Sequence, residues 1–399
     1  MDKVTVYRFQ IWDQNIGQNV WAPRMATVGA IQRVNGAVDE ATAQLVSDAK
    51  SEYLRKLAAY QAARRAFEEL SAPYWDEVRQ KRQLRNTKRR SGEMIVAEDY
   101  VLTQPPLYNG PPRPIPPPDV RDQLPPRPPL PVVADFLRHV LEQYRFAPTR
   151  PASEINFKQA YAKIARAAGL TREQAVRIYA FEVGGNGKYD TQAGLEEDRP
   201  GAHAISTALG YNQLLNTNSV EIMAEQGERF GAALKEKLAA LADTARTAFI
   251  RKIEVVRAMT VFCRSVPDQW NEHERLGSTA KGLAVHAMNL DIDVGPLLQT
   301  QKLLDSVVFA RRKGYGRHLT AAELEMMNLT GDGNGYDMVT IPEEMRAQIP
   351  TSNFFLRNGY ERNPVAIRNN TVAKLFAATN SIMDKGTMLQ GARDLAAAF

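Results

Sequence analysis

Apolar and polar residues alternate with a period of two only near the start of this chain. Over residues 3–12, Val4, Val6 and Phe9 recur among polar positions and predict a strand. The polar stretch 13–19 then leads into Val20-Trp21, a hairpin partner, and residues 26–34 suit a short helix. From Asp39 to Leu70, Ala, Leu, Glu, Lys and Arg dominate with neither Gly nor Pro, which predicts one long helix. Beyond residue 132 the period changes to that of helices. Val133, Phe136, Leu137, Val140, Leu141 and Tyr144 make one apolar stripe. Phe157, Ala160, Tyr161, Ile164, Ala165 and Ala168 make a second, opened by Ser153 and stopped by Gly169. A third helix opens at Thr171 with Gln174 three residues on, the spacing of a capping box. The expected fold class is therefore mainly α. A small N-terminal α+β module (1–38) and a long basic helix region (39–100) precede a Pro-rich linker (101–132) and a helical domain (133–399).

Composition changes this picture in one segment: 13 of the 27 residues from Pro105 to Pro131 are proline. Fixed φ angles and missing donors predict an extended, polyproline-like spacer. Its RPPLP at 127–131 has the form of a ligand for an aromatic groove on a protein partner, although a spacer is the preferred reading. A formal net charge of +6 favours anionic partners, and charge alone does not separate nucleic acid, an acidic membrane surface and murein. The basic run Arg79, Lys81, Arg82, Arg85, Lys88, Arg89 and Arg90 carries no interleaved aromatic residue after Trp75. It is read as a solvated helix end, not a dedicated nucleic-acid site. No run of 18 apolar residues occurs, so no transmembrane segment is expected. Residues 1–10 contain no apolar h-region and hence no Sec signal, which leaves localisation open between the cell wall or periplasm and a non-Sec export route. The single cysteine, Cys263, lies in an apolar stretch and is read as a buried, inert thiol. The five histidines show no metal-ligand spacing, so no metal or other cofactor is expected.

Candidate chemistry centres on the third helix. Ala175, Ile178, Tyr179 and Glu182 fall at i, i+3, i+4 and i+7, which sets a carboxylate on the inward face, and Gly184-Gly185-Asn186-Gly187 ends the helix at once. A poorly hydrated carboxyl has a raised pKa and can hold a proton near neutral pH, as a glycosidic general acid must. A helix-end carboxylate turned to water is the alternative.

Glu182, the glycine-rich loop behind it and the strip Thr207-Ala208-Leu209-Gly210-Tyr211-Asn212-Gln213-Leu214-Leu215-Asn216 resemble the catalytic Glu and GAxGLMQ motifs of soluble lytic transglycosylases. That family belongs to the lysozyme-like superfamily. The resemblance is specific over residues 181–221 and implies a lysozyme-like helical catalytic domain that cleaves the MurNAc-GlcNAc β-1,4 bond of peptidoglycan, its partner being the glycan strand. It implies that Glu182 protonates the glycosidic oxygen and then takes the C6 hydroxyl proton as a 1,6-anhydro ring closes. Gly210 and Gln213 match the family glycine and glutamine, and the strip, with Tyr211, would form the cleft floor. Thr207 stands at the first glycine. Ala204 aligns with the serine that holds the substrate acetamido group, leaving Ser206 as the nearest hydroxyl for that role. Residues 188–199 read as an inserted loop.

Residues 284–289 align with a cleft-wall strip, and Asn289 is a candidate for bonding sugar hydroxyls. Tyr360, within Asn358-Gly359-Tyr360-Glu361, is a candidate for stacking on a sugar ring, with core packing as the alternative. The string 330–337 suggests a calcium loop, but Tyr336 and Asp337 stand where a ligand and a glycine are needed, so a turn is preferred. Asp190, Glu196, Glu197 and Asp198 are read as surface-loop residues. That leaves one working carboxylate and favours transglycosylation over a lysozyme-type muramidase. A non-catalytic glycan-binding or assembly module on the same scaffold is the rival of a different class. An open groove with Glu182 in its wall and Gln213 on its rim would favour the enzyme.

Overall fold

The computed structural model describes residues 3–13, 17–23, 25–47, 49–117, 130–184, 191 and 206–399. The chain divides into two units, Met1–Arg79 with Pro105–Pro128 and Gln80–Gln104 with Pro129–Phe399. The first break falls inside a helix, within the region 39–100 that the sequence presents as one piece.

In the first unit, β1 (Lys3–Asp13) is the middle strand of a three-stranded antiparallel sheet, between β2 (Gln18–Trp21) and β3 (Ala37–Ser47). The hairpin register sets Gln10 opposite Trp21. The short helix α1 (Val28–Arg33) is capped by Thr27, whose side chain accepts from Ala30 N, and it buries Ile31. Residues 39–47, expected to be helical, instead pair with β1 from Lys3↔Ser47 to Gln10↔Ala37. Their polar side chains explain the difference. Thr42 Oγ1 accepts from Arg8 N at 2.7 Å, where the register shifts between Val6 and Arg8, and Asp39 Oδ1 accepts from Ala41 N at 3.2 Å. Such local side-chain bonds compete with a helix. The long helix α2 therefore begins later and runs further, from Ala49 to Ser91. Residues 105–117 contain no helix or strand. The segment nevertheless packs on α2: the Tyr108 ring stands edge-on to Phe67, 5.4 Å between centroids.

The second unit is helical. After the tail of α2 come α3 (Val133–Tyr144), α4 (Glu154–Ala167), α5 (Arg172–Val183), α6 (Asn216–Ala239) and α7 (Asp243–Cys263). Next are α8 (Trp270–Gly277), α9 (Ala280–His286), α10 (Gly295–Arg312), α11 (Ala321–Thr330) and α12 (Asp332–Val339). The chain closes with α13 (Arg357–Glu361), α14 (Pro364–Arg368), α15 (Val372–Thr387) and α16 (Gln390–Ala398). One contiguous core joins Phe136 and Val140 of α3, Met223 and Phe230 of α6 and Val256 and Met259 of α7, with Cys263 buried among them. The capping box of α5 forms as expected: Gln174 N donates to Thr171 Oγ1 at 3.1 Å and Thr171 N to Gln174 Oε1 at 2.9 Å. This fixes the start of α5, which packs on α11 and α15.

Arg79 and Arg90 of the basic run are exposed, as a solvated helix end requires, but the middle of the run is not. Arg85 is fully buried, and its Nε donates to Asp337 Oδ2 at 2.8 Å while Arg89 pairs with the other oxygen of that carboxylate. Lys88 donates to Asp99 at 2.7 Å, and Arg82 donates to the carbonyls of Asn353 and Phe355 at 2.8 and 2.9 Å. Partners far along the chain turn these cations inward. The string 330–337 is likewise helical over most of its length, as α12. Among the described residues no helix is long and apolar enough to cross a membrane.

Candidate functional site

Glu182 stands on the last turn of α5, and Gly184, at φ 72°, ends the helix in the left-handed conformation that glycine adopts without strain. Facing it is α11, where Glu325 and Asn328, three residues apart, share one side. Asn328 Nδ2 donates to Glu182 Oε1 at 2.8 Å. Glu325 is only 2% exposed, and its Oε2 has no hydrogen-bond partner among the described residues. Burial is the main cause that raises both carboxyls above the ordinary range. The charge of Glu182 adds to the shift of Glu325, so Glu325 keeps its proton and acts as a donor toward Glu182. Asn328 and the ammonium of Lys302, on α10, favour the Glu182 anion in the opposite sense.

A cavity of about 590 Å³ begins at Asn328 and Lys302 and continues past Glu221, Asp305, Arg229 and Trp270. Burial, followed by the neighbouring Glu225, pushes Glu221 up to about 7. Asp305 is pushed up to about 6, again chiefly by burial. Trp270 is 49% exposed, and its volume and polarity suit the cavity to a polar ligand with a face to stack. Neither Glu182 nor Gln213 belongs to the cavity lining. Among the described residues no three His, Cys, Asp or Glu side chains converge as metal ligands would.

The 207–216 strip folds into a tight loop closed by mutual backbone bonds between Leu209 and Leu214, at 2.9 and 3.0 Å. Gly210 has φ +84° and lies so close to Gln299 that a Cβ would approach Nε2 to 2.0 Å, so glycine is required there. Gln299 clamps the loop: its Oε1 accepts from Asn212 N at 2.8 Å and its Nε2 donates to Leu209 O at 3.1 Å. His286 Nε2 bonds Thr207 O at 2.7 Å, and burial lowers its pKa to about 4, so the ring is neutral and donates from that nitrogen.

Several expected cleft residues prove to be structural. Tyr211 is fully buried among the rings of Phe157, Tyr161 and Tyr179 and donates to Glu154 Oε1 at 2.6 Å. Asn289 is fully buried, and its side chain bonds Ser219 at 2.9 Å and Gln299 at 2.7 Å. Tyr360 is 3% exposed and packs beside Phe355. Contact with a sugar is closed to all three. Gln213, half-buried at φ 43°, turns its Nε2 to Gly210 O at 2.9 Å. Ser206 Oγ accepts from Ala208 N at 3.2 Å and remains partly exposed. Ala204, the acidic residues 190 and 196–198 and, apart from Thr191, the inserted loop lie outside the described residues. Glu325, Asn328 and Lys302 were not anticipated. The available signal was Glu325, flanked by Leu324 and Met326-Met327 in the string Ala321-Ala322-Glu323-Leu324-Glu325-Met326-Met327. No family model, curated protein or solved structure matches this chain.

Proposed function

We propose that the helical unit is a lysozyme-like peptidoglycan lytic transglycosylase in which Glu182 is the acid/base. The observation that carries this reading is the carboxyl of half-buried Glu182, its pKa raised by burial, held by Asn328 and backed by buried Glu325, beside a polar cavity with a stacking tryptophan. Protonated Glu182 gives its proton to the glycosidic oxygen as the C1–O bond breaks. Lys302, Asn328 and the donor on Glu325 favour the carboxylate left behind. That carboxylate then takes the C6 hydroxyl proton as the hydroxyl oxygen closes on C1. Glu325 is too deeply buried to reach the sugar and serves as a positioning residue.

Hydrolysis is the second reading, favoured by the carboxyls Glu221 and Asp305 in the cavity wall, either of which in its ionised form offers a base for water. A binding module without catalysis is favoured by the absence of Glu182 from that wall. Digestion of purified murein with mass analysis of the fragments separates the three. Products ending in 1,6-anhydromuramate support the transglycosylase, reducing ends support the hydrolase, and no cleavage supports the binding module. Glu182→Gln keeps the shape but removes the titrating proton, so turnover should fall by about 10² to 10⁴-fold while the protein stays folded. Full activity in that variant would exclude Glu182 from the chemistry.

A further inference from the structure

A larger cavity, about 930 Å³, lies elsewhere in the helical unit, between the tail of α2 and the ends of α10 and α12. Its two walls differ in kind. On α2, Gln83, Asn86, Thr87 and Arg90 occupy i, i+3, i+4 and i+7, all exposed, so one helical face presents amides, a hydroxyl and a guanidinium. The other wall carries Phe309, Tyr336, Ile341, Pro342 and Met345. Phe309 and Tyr336 meet edge to face, 6.0 Å between centroids, and Lys313 Nζ stands 5.7 Å from the Phe309 ring at the rim.

The charge behind these walls is unbalanced. Arg85 and Arg89 share a single carboxylate, Asp337, and Arg82 reaches only backbone carbonyls among the described residues. Arg85 Nη2 and Arg82 Nε are buried without a hydrogen-bond partner among the described residues. Arg90 and Lys313 add two exposed cations, and the one acidic side chain among the described lining residues is Glu93. Buried positive charge in excess of its counter-charge raises the affinity of an adjacent opening for anions.

We infer that this cavity binds a nucleotide. A flat base would lie against Phe309 and Tyr336 with its polar edge toward Gln83 and Asn86, and its phosphates would meet Arg90 and Lys313. The volume falls within the range of sites for ligands of that size. The inference is independent of the reading of Glu182.

Calorimetric titration of the full chain with ADP, adenosine and inorganic phosphate tests it. ADP should bind saturably and more tightly than adenosine or phosphate alone. Arg90→Ala with Lys313→Ala should weaken ADP by about tenfold or more, since each removes a charge-assisted contact. Both side chains are exposed, and an unchanged melting temperature will show that the variant is folded. Tyr336→Ala should weaken ADP and leave phosphate unchanged. No saturable ADP binding, ADP binding indifferent to the double substitution, or phosphate binding as tightly as ADP would overturn the assignment. So would a short single-stranded oligonucleotide that binds far more tightly than ADP, which would make this face a nucleic-acid surface.

Discussion

Two centres in the helical unit bury carboxyl groups beside lysine, and they differ in how completely the charge is answered. In the first, Lys252, only 2% exposed, donates to Asp291 Oδ1 at 2.9 Å and also to Asp293, which Lys237 meets from the other side. The remaining lone pairs of Asp291 accept N–H groups of Thr149, Asp293 and Val294 at 2.7, 2.9 and 3.1 Å. Two carboxylates face two ammonium groups, and the backbone satisfies the rest. In the second, Glu182 and Glu325 oppose each other with one amide and one lysine charge to answer them, and an oxygen of Glu325 lacks a partner among the described residues. A centre whose carboxylates are answered by ammonium and N–H groups holds structure. An unbalanced one keeps a proton that it can release, which is the property acid–base chemistry requires.

The contrast should be largest in stability. Lys252→Met leaves Asp291 and Asp293 buried without their shared ammonium, and breaking a buried pair from one side costs about 3–5 kcal/mol. Urea unfolding should show this loss for Lys252→Met and almost none for Glu182→Gln/Glu325→Gln, which removes two groups already reluctant to ionise. Similar losses in both proteins would erase the distinction.

A smaller effect distinguishes Asp293 of the first centre from the glutamate pair by pH, whereas burial raises Asp291 above its ordinary value as it raises the glutamates. Burial works against the charge of Asp293, but the hydrogen bonds from Lys237 and Lys252 outweigh it and hold the carboxyl below its ordinary 3.8. The contribution of Asp293 is therefore complete above pH 3.8 and is lost as pH falls through the depressed value. Glu182 and Glu325 lie above their ordinary 4.5, so the folded protein holds protons that the unfolded chain has released. Their contribution is complete below pH 4.5 and is lost as pH rises through the raised values. Between about pH 5 and about pH 8, stability of the Glu182→Gln/Glu325→Gln protein should fall less steeply than that of the parent, with the acid side unchanged. Parallel curves would mean that the pair ionises as freely as in water.

Sequence periodicity was enough for α3, α4 and α5, because their apolar stripes and the Thr171–Gln174 cap are local signals. It placed Glu182 on the inward face for the same reason. It failed where the deciding partner is remote. Residues 39–47 have helix-like composition but pair with β1, and Arg85 looks like a surface cation until Asp337, 252 positions later, is brought beside it. Tyr211, Asn289 and Tyr360 carry polar groups suited to a sugar, yet each is closed off by the core around it. Gly210 was expected in a cleft floor beside the substrate, whereas what demands glycine there is a φ of +84° and the side chain of Gln299.

The smallest effect examines the unbalanced centre from within. If Glu325 stays protonated, it is a donor toward Glu182 and favours the Glu182 anion, as Asn328 does. Glu325→Gln then replaces one donor by another and should leave the titration of Glu182 close to where it is. Glu325→Leu removes the donor and keeps the burial, so the Glu182 titration should move upward by on the order of one pH unit. Carbon NMR of glutamate labelled at the side-chain carboxyl, followed through a pH series, measures this without requiring any catalytic activity. The opposite arrangement, two ionised carboxylates repelling each other, predicts instead that both substitutions lower the Glu182 value, because each removes a negative neighbour. A fall in the Gln variant would therefore place the charge on Glu325 and make Glu182 the proton holder of the pair. An upward move confined to the Leu variant would establish Glu325 as the group that sets when Glu182 can give its proton and when it can take one back.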